Sequence, residues 1–302
     1  MKRRQVTYLH KSISLKLPWV DAGRETQETL KQKYFRGSEI LAEHFQAIED
    51  KLLQGKAFLA AVDNQLMLGL FLKLSRSYRS LLLLLDSNDQ RTIQFISEQL
   101  CEAVVMLAFL AEETIESSLY PYFTSALKQA YCLYTLLEEK RLQSPQDAKL
   151  QALKAKLQHF IERSQQQLRE LSDTGETTAG DAEGDDNTEI FARDALSQRA
   201  AIVGIKVLLD SSRTITSAVN PASLLDLELF YLESLTSPVS CFDPLKLLRD
   251  TSHACLHATT IFLDVIDRHH CQEIDLDLRQ INGDFNTFFK WFHELYILYQ
   301  SA

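Results

Sequence analysis

The sequence predicts an all-α protein, a multi-helix bundle of about nine helices interrupted by an acidic disordered linker. Three observations lead there. Glycine (9) and proline (6) are scarce in 302 residues, and so few breakers leave long helical stretches with short connections. Apolar residues, 45% of the chain, recur at three- and four-residue spacing, and no stretch alternates as a strand would. Capping side chains precede proline at Ser144-Pro145, Asn220-Pro221 and Asp243-Pro244, as at a helix start.

Residues 1–20 read as an arm, basic through Lys2, Arg3, Arg4, Lys11 and Lys16. Such an arm reads as a solvated tail, with a weak anionic contact as the alternative, and Leu9, Ile13, Leu15 and Leu17 give it some capacity to dock. A first helix spans about 24–54, carrying Leu30, Tyr34, Leu41, Phe45, Ile48 and Leu52, with Gly37-Ser38 as a place to kink and Gly55 as its cap. A second spans about 57–85 and ends at Asp86-Ser87-Asn88-Asp89. The third, about 89–116, is apolar all round over residues 103–111, which predicts burial on every side. The fourth starts near Ser117-Ser118 with Pro121 in its first turn and ends near Arg141. The fifth, about 145–171, carries a narrow stripe of Leu150, Leu153, Leu157, Phe160 or Ile161, Leu168 and Leu171, coiled-coil-like but interrupted by Ser164 and Gln167. Four more follow at about 190–219, 221–235, 244–268 and 276–300.

Residues 173–189 hold seven carboxylates and no lysine or arginine, and read as a flexible acidic linker. They lack the alternating carboxylates and closing glutamate of a calcium loop. Four regions result: an arm (1–20), a helical region (21–172), the linker (173–189) and a helical region (190–302) able to complete the same bundle. Without the linker's seven carboxylates the net charge of −9 falls to about −2, so no basic stripe for nucleic acid stands out.

The chemistry-bearing residues crowd Leu248–Thr260. At about 100° per residue, Arg249, His253, His257, Thr260, Asp264, Asp267 and Arg268 share one side of the 244–268 helix. Ala254, Ala258, Phe262, Val265 and Ile266 share the other. One reading makes the polar side a solvated face, with Asp264 and Arg268 as an i,i+4 pair. The sharper reading makes Arg249, His253 and His257 catalytic. His253 would move a proton, Arg249 would hold a phosphate, His257 would support them, and Thr251 or Ser252 would orient either group. That is the logic of a metal-independent ribonuclease.

No cofactor and no metal are expected. His253 and His257 alone are too few ligands, and Ala254 stands where the glutamate of a zinc His-Glu-x-x-His helix would be. Phosphate-loop, dinucleotide and nucleophile-elbow motifs are absent from the sequence. The five cysteines are odd in number and widely spaced, which fits a reducing cytoplasm. The most apolar windows, 57–74 and 93–111, carry charges, so no membrane helix is expected. The last helix is dense in aromatics (Phe285, Phe288, Phe289, Trp291, Phe292, Tyr296, Tyr299) and reads as a core-sealing helix, with a dimer face as the alternative.

Three segments resemble a bacterial all-helical family of unknown function. Residues 91–105, with Arg91 and Glu102-Ala103, resemble its Arg-x-x-x-Glu-Ala-x-x helix. Residues 247–253, ending in His253, resemble its late Leu-Ser-x-x-His helix. Residues 196–204, through Arg199-Ala200 and Gly204, resemble its Glu-Arg-Ala-x-x-x-Gly stretch. The similarity covers about half the chain and relates it to HEPN-like proteins. These are helical bundles that often dimerise and include ribonucleases of bacterial defence. The resemblance implies a homodimer or another protein partner, with RNA as the alternative ligand. One departure stands out. HEPN nucleases separate their arginine and histidine by about four to six residues. Here three lie between Arg249 and His253, and seven between Arg249 and His257. An interaction module without catalysis fits the sequence equally well, as does a helical scaffold unrelated to that family.

Overall fold

The structure, a computed structural model, describes residues 17–18, 20, 26–55, 62–85, 90–112, 115–143, 147–173, 193–204, 206, 243–270 and 277–301. Eight helices make up these residues, and no strand occurs among them. The helices are α1 (Gln27–Leu52), α2 (Val62–Leu84), α3 (Gln90–Glu112), α4 (Ile115–Gln143), α5 (Ala148–Asp173), α6 (Arg193–Ile202), α7 (Pro244–His270) and α8 (Leu278–Ser301). The chain is all-α. The helix expected over 221–235, most of the arm, and the linker beyond Asp173 lie outside the described residues.

Two compact units divide the chain. One comprises Met1–Ala111 with Gln198–Ala302, the other Glu112–Ser197. In the first, α1, α2, α7 and α8 enclose one core. Phe45 meets Phe71 of α2 edge-on at 6.2 Å, and Phe71 meets Phe262 of α7 at 5.5 Å. Tyr34 and Phe45 of α1 meet Phe292 and Phe285 of α8 at 5.0 and 6.2 Å. The pairings run in opposite sequence directions, so each helix lies antiparallel to its neighbours in the order α1, α2, α7, α8. Helices separated by some 160 residues thus complete one four-helix arrangement. The aromatics of α8 seal this core: Phe285, Phe288 and Phe292, at i, i+3 and i+7, are fully buried. Helix α3 is buried along Leu100–Ala111 except at Glu102 and Met106, as an all-round apolar helix must be.

Caps and stops follow local chemistry. Thr26 Oγ1 accepts from the Thr29 amide to start α1. Asp243 Oδ1 accepts from the Leu245 and Lys246 amides to start α7, as Asp243-Pro244 predicts. Asp147 caps α5, accepting from the Lys149 and Leu150 amides, and the predicted Ser144-Pro145 start lies outside the described residues. Helix α4 begins at Ile115, before the predicted Ser117-Ser118. Helix α1 passes Gly37 and Ser38 as one element and ends at Leu52, with the Leu53 amide returning to the Glu49 carbonyl. The long helix predicted over 190–219 stops at Ile202, because Gly204 takes φ +71°, a left-handed stop that glycine adopts without a Cβ clash.

The second unit is an antiparallel hairpin of α4 and α5. Gln165 donates to the Tyr131 hydroxyl at 2.6 Å, and Lys154 pairs with Glu138 while lying 5.2 Å from the centre of the Tyr134 ring. Ala130, Leu137 and Ile161 are buried. So are Ser164 and Gln167, the two residues that interrupt the α5 stripe, whereas Leu153 of that stripe is exposed.

Candidate functional site

Arg249, His253 and His257 follow one another at successive turns of α7, and each is half-buried. Along the polar side of α7, Thr260 and Asp264 are half-buried as well, and among the described residues Lys246, Asp267 and Arg268 are exposed toward the helix ends. Asp264 and Arg268, an expected i,i+4 pair, make no ion pair.

Arg249 is held on two sides. Its Nε and Nη2 donate to Asp250 Oδ1 at 2.7 and 2.6 Å. Its guanidinium lies 4.1 Å from the centre of the Tyr296 ring. Asp250 is 3% exposed, so its carboxylate requires this cation. Tyr296 donates to Asp243 Oδ2 at 3.4 Å and accepts from Gln300 Nε2 at 2.8 Å. The α7 cap, the cation and α8 thus form one network, in which the arginine charge is already matched.

His253 lies against α8. Its ring sits 5.2 Å from Phe289 and 6.4 Å from Phe292. Burial pulls its pKa from 6.5 down to about 4, and the Arg249 charge adds to the fall. Asp250 and a hydrogen bond with the Phe289 backbone oppose it, while His293 acts in the same direction as Arg249. Its buried Nε2 has no hydrogen-bond partner among the described residues. His257 is engaged elsewhere, donating from Nε2 to the Val203 carbonyl at 3.1 Å in the turn after α6.

Thr251 and Ser252 are buried and turned to their own helix. Thr251 Oγ1 donates to the Leu247 carbonyl at 2.8 Å and Ser252 Oγ to the Leu248 carbonyl at 2.6 Å. Ser252 Oγ in turn accepts from the Tyr78 hydroxyl at 2.7 Å, and burial pushes that hydroxyl's pKa up. Tyr34, Ser38, Tyr78, Ser252 and Asp250 form a buried polar group that reading for exposed chemistry passed over. A signal existed: Leu245, Leu248, Ser252, Cys255, Thr259 and Phe262 keep a three- and four-residue spacing, which places both hydroxyls in the apolar register. Ser38 holds the same register on α1, between Tyr34 and Leu41.

General acid–base work needs a titrating group within reach of substrate. A histidine with a pKa near 4 is neutral at pH 7 and has lost the imidazolium proton that a general acid would donate. Arg249 would have to give up its ion pair with the buried Asp250 carboxylate to clamp a phosphate. Cys255 is fully buried, and burial pushes its thiol well up, away from nucleophilic reactivity. No group of three His, Cys, Asp or Glu side chains able to hold a metal occurs among the described residues. No helix among them is long and apolar enough to cross a membrane. A concave feature lies elsewhere, an open groove of about 1140 Å³ along α1 and α2 lined by Phe35, Glu39, Glu43, Arg79 and Leu83. Its charges are largely spoken for: Arg36 pairs with Glu39 and Glu43, and Arg79 with the buried Glu49. No family model matches this chain, and searches of the curated proteins and of the solved structures find no match.

Proposed function

We propose that this protein is a HEPN-like helical interaction module that works by binding a protein partner and does not cleave RNA. The observation that carries the reading is the commitment of the Arg249–His257 cluster to the interior: Arg249 to Asp250 and Tyr296, His253 to Phe289 and Phe292, His257 to Val203. Apart from the Arg249–Asp250 pair within α7, each of those contacts joins one turn of α7 to a neighbouring element, which is scaffold work. Bundles of this kind present helix faces, and affinity then comes from a few desolvated anchors.

The ribonuclease alternative keeps one observation in its favour, the unpartnered Nε2 of His253. Incubating the purified protein with mixed-sequence RNA in EDTA, beside His253→Ala, separates the two. The expected result is intact RNA in both reactions. Cleavage by the parent alone would overturn the binding role and make His253 the acid–base group.

A further inference from the structure

The two broad faces of the α4–α5 hairpin differ. On one, the helices are tied by their own polar groups, Gln165 to Tyr131 and Lys154 to Glu138. At about 100° per residue, Leu133 and Leu136 of α4 and Leu153 and Phe160 of α5 fall on the other. Leu133, Leu136 and Leu153 are 44%, 54% and 45% exposed, and Phe160 is half-buried. These two rows flank the groove between the helices, and Ala130, Leu137 and Ile161 are buried in the seam beneath it.

A row of cations borders the same face. Lys149, Lys156 and Arg163 recur every seven residues along α5, beside Leu153 and Phe160, which are also seven apart. Lys140 stands seven residues after Leu133 on α4. All four cations are exposed. No carboxylate stands three or four residues from Lys140, Lys149 or Lys156, so none of these charges has the intrahelical partner usual on a surface helix. An apolar row with a charged row beside it, both at a seven-residue period, is the pattern by which a helix meets another helix. A helix lying in a lipid surface instead spreads its apolar residues over a broad arc.

The face also excludes occupants by charge. A second copy would bring the same cations, and the arm is itself basic. Residues 173–189 supply carboxylates but hold no leucine, isoleucine, valine or phenylalanine to cover Leu133, Leu136 and Leu153. We propose that this face receives an acidic amphipathic helix of a partner protein, its apolar stripe in the α4–α5 groove and its carboxylates against Lys140, Lys149 and Lys156. Three helices then share one seam, and the charges select the partner. The inference rests on the binding role proposed above and gives the partner's chemistry.

Fluorescence anisotropy with the full chain tests it. The probe is a labelled synthetic helix of heptads with leucine at a and d and glutamate at e and g, compared with a twin carrying lysine at e and g. The glutamate helix is expected to bind, and the lysine twin to bind at least about tenfold more weakly at low salt. Leu136→Asp and Leu153→Asp should each weaken the glutamate helix about tenfold or more, with circular dichroism confirming that the variants keep their helix content. The double variant K149E/K156E should reverse the preference between the two peptides. A glutamate helix that does not bind overturns the proposal, as does a preference that K149E/K156E leaves unchanged. So does cosedimentation with phosphatidylserine-containing vesicles that the same variants abolish, which would give the face to a lipid surface. The RNA assay is independent of these outcomes, so a chain that ignores both peptides and leaves RNA intact removes this inference and leaves the binding role standing.

Discussion

At His253, burial and charge act in the same direction. The ring is packed against Phe289 and Phe292 with Arg249 beside it, and its pKa falls to about 4. A histidine with a lowered folded pKa binds fewer protons folded than unfolded, between the two pKa values. Its stabilising effect is therefore fully present above pH 6.5 and is lost as the pH falls from about 6.5 toward 4, to a limit of about 3 kcal/mol. His253→Leu keeps an apolar contact with the two phenylalanines and removes the titration. Urea unfolding of both proteins between pH 4 and 7 should show the wild type losing stability relative to the variant as the pH falls. Parallel curves would mean that His253 is solvated. The sequence places Arg249 and His253 one turn apart without ambiguity. It does not disclose that Asp250, the next residue, is the buried partner of that arginine.

Among the helices, two glycines of similar appearance have opposite roles. Gly37 faces α8, where a Cβ would lie 2.2 Å from the Trp291 ring. Gly69 of α2 has nothing within 4 Å of that position. Replacing glycine by alanine inside a helix gains about 1 kcal/mol from propensity alone. Overpacking costs about 1–3 kcal/mol and outweighs that gain where the neighbour is a whole indole wedged against another helix. Gly69→Ala should accordingly raise Tm, and Gly37→Ala should lower it. Adding Trp291→Leu should recover part of the loss from Gly37→Ala, because the two residues touch. A stabilised Gly37→Ala would show that α1 and α8 do not approach this closely. From the sequence, Gly37-Ser38 suggested a kink, because a glycine's neighbour on another helix is not encoded near it. The stop at Gly204 was missed for a different reason: the apolar spacing runs on through it, and only the left-handed φ ends the helix.

At the scale of the molecule, α7 and α8 share their core with α1 and α2. Phe262, Phe285, Phe288 and Phe292 are fully buried, largely against rings from the amino-terminal helices. Exposing those four side chains would cost about 6–12 kcal/mol at roughly 1.5–3 each, comparable with the whole stability of a domain, about 5–15 kcal/mol. Residues 190–302 produced alone should therefore show little cooperative thermal unfolding by circular dichroism, and mixing with residues 1–172 should restore it. A cooperative transition in the isolated fragment would count against the shared core. The all-α class and most helix positions were legible in the chain, because three- and four-residue spacing and caps such as Asp243 are local properties. The state of the Arg–His cluster was not. Whether Arg249 and His253 meet solvent depends on Phe289 and Tyr296, some 40 residues away on α8, and only the packing of α8 on α7 brings those rings over them. The sequence thus determined the helices and the order of charges along each one. The tertiary structure decided which charges lost their water, because desolvation depends on neighbours brought together in space.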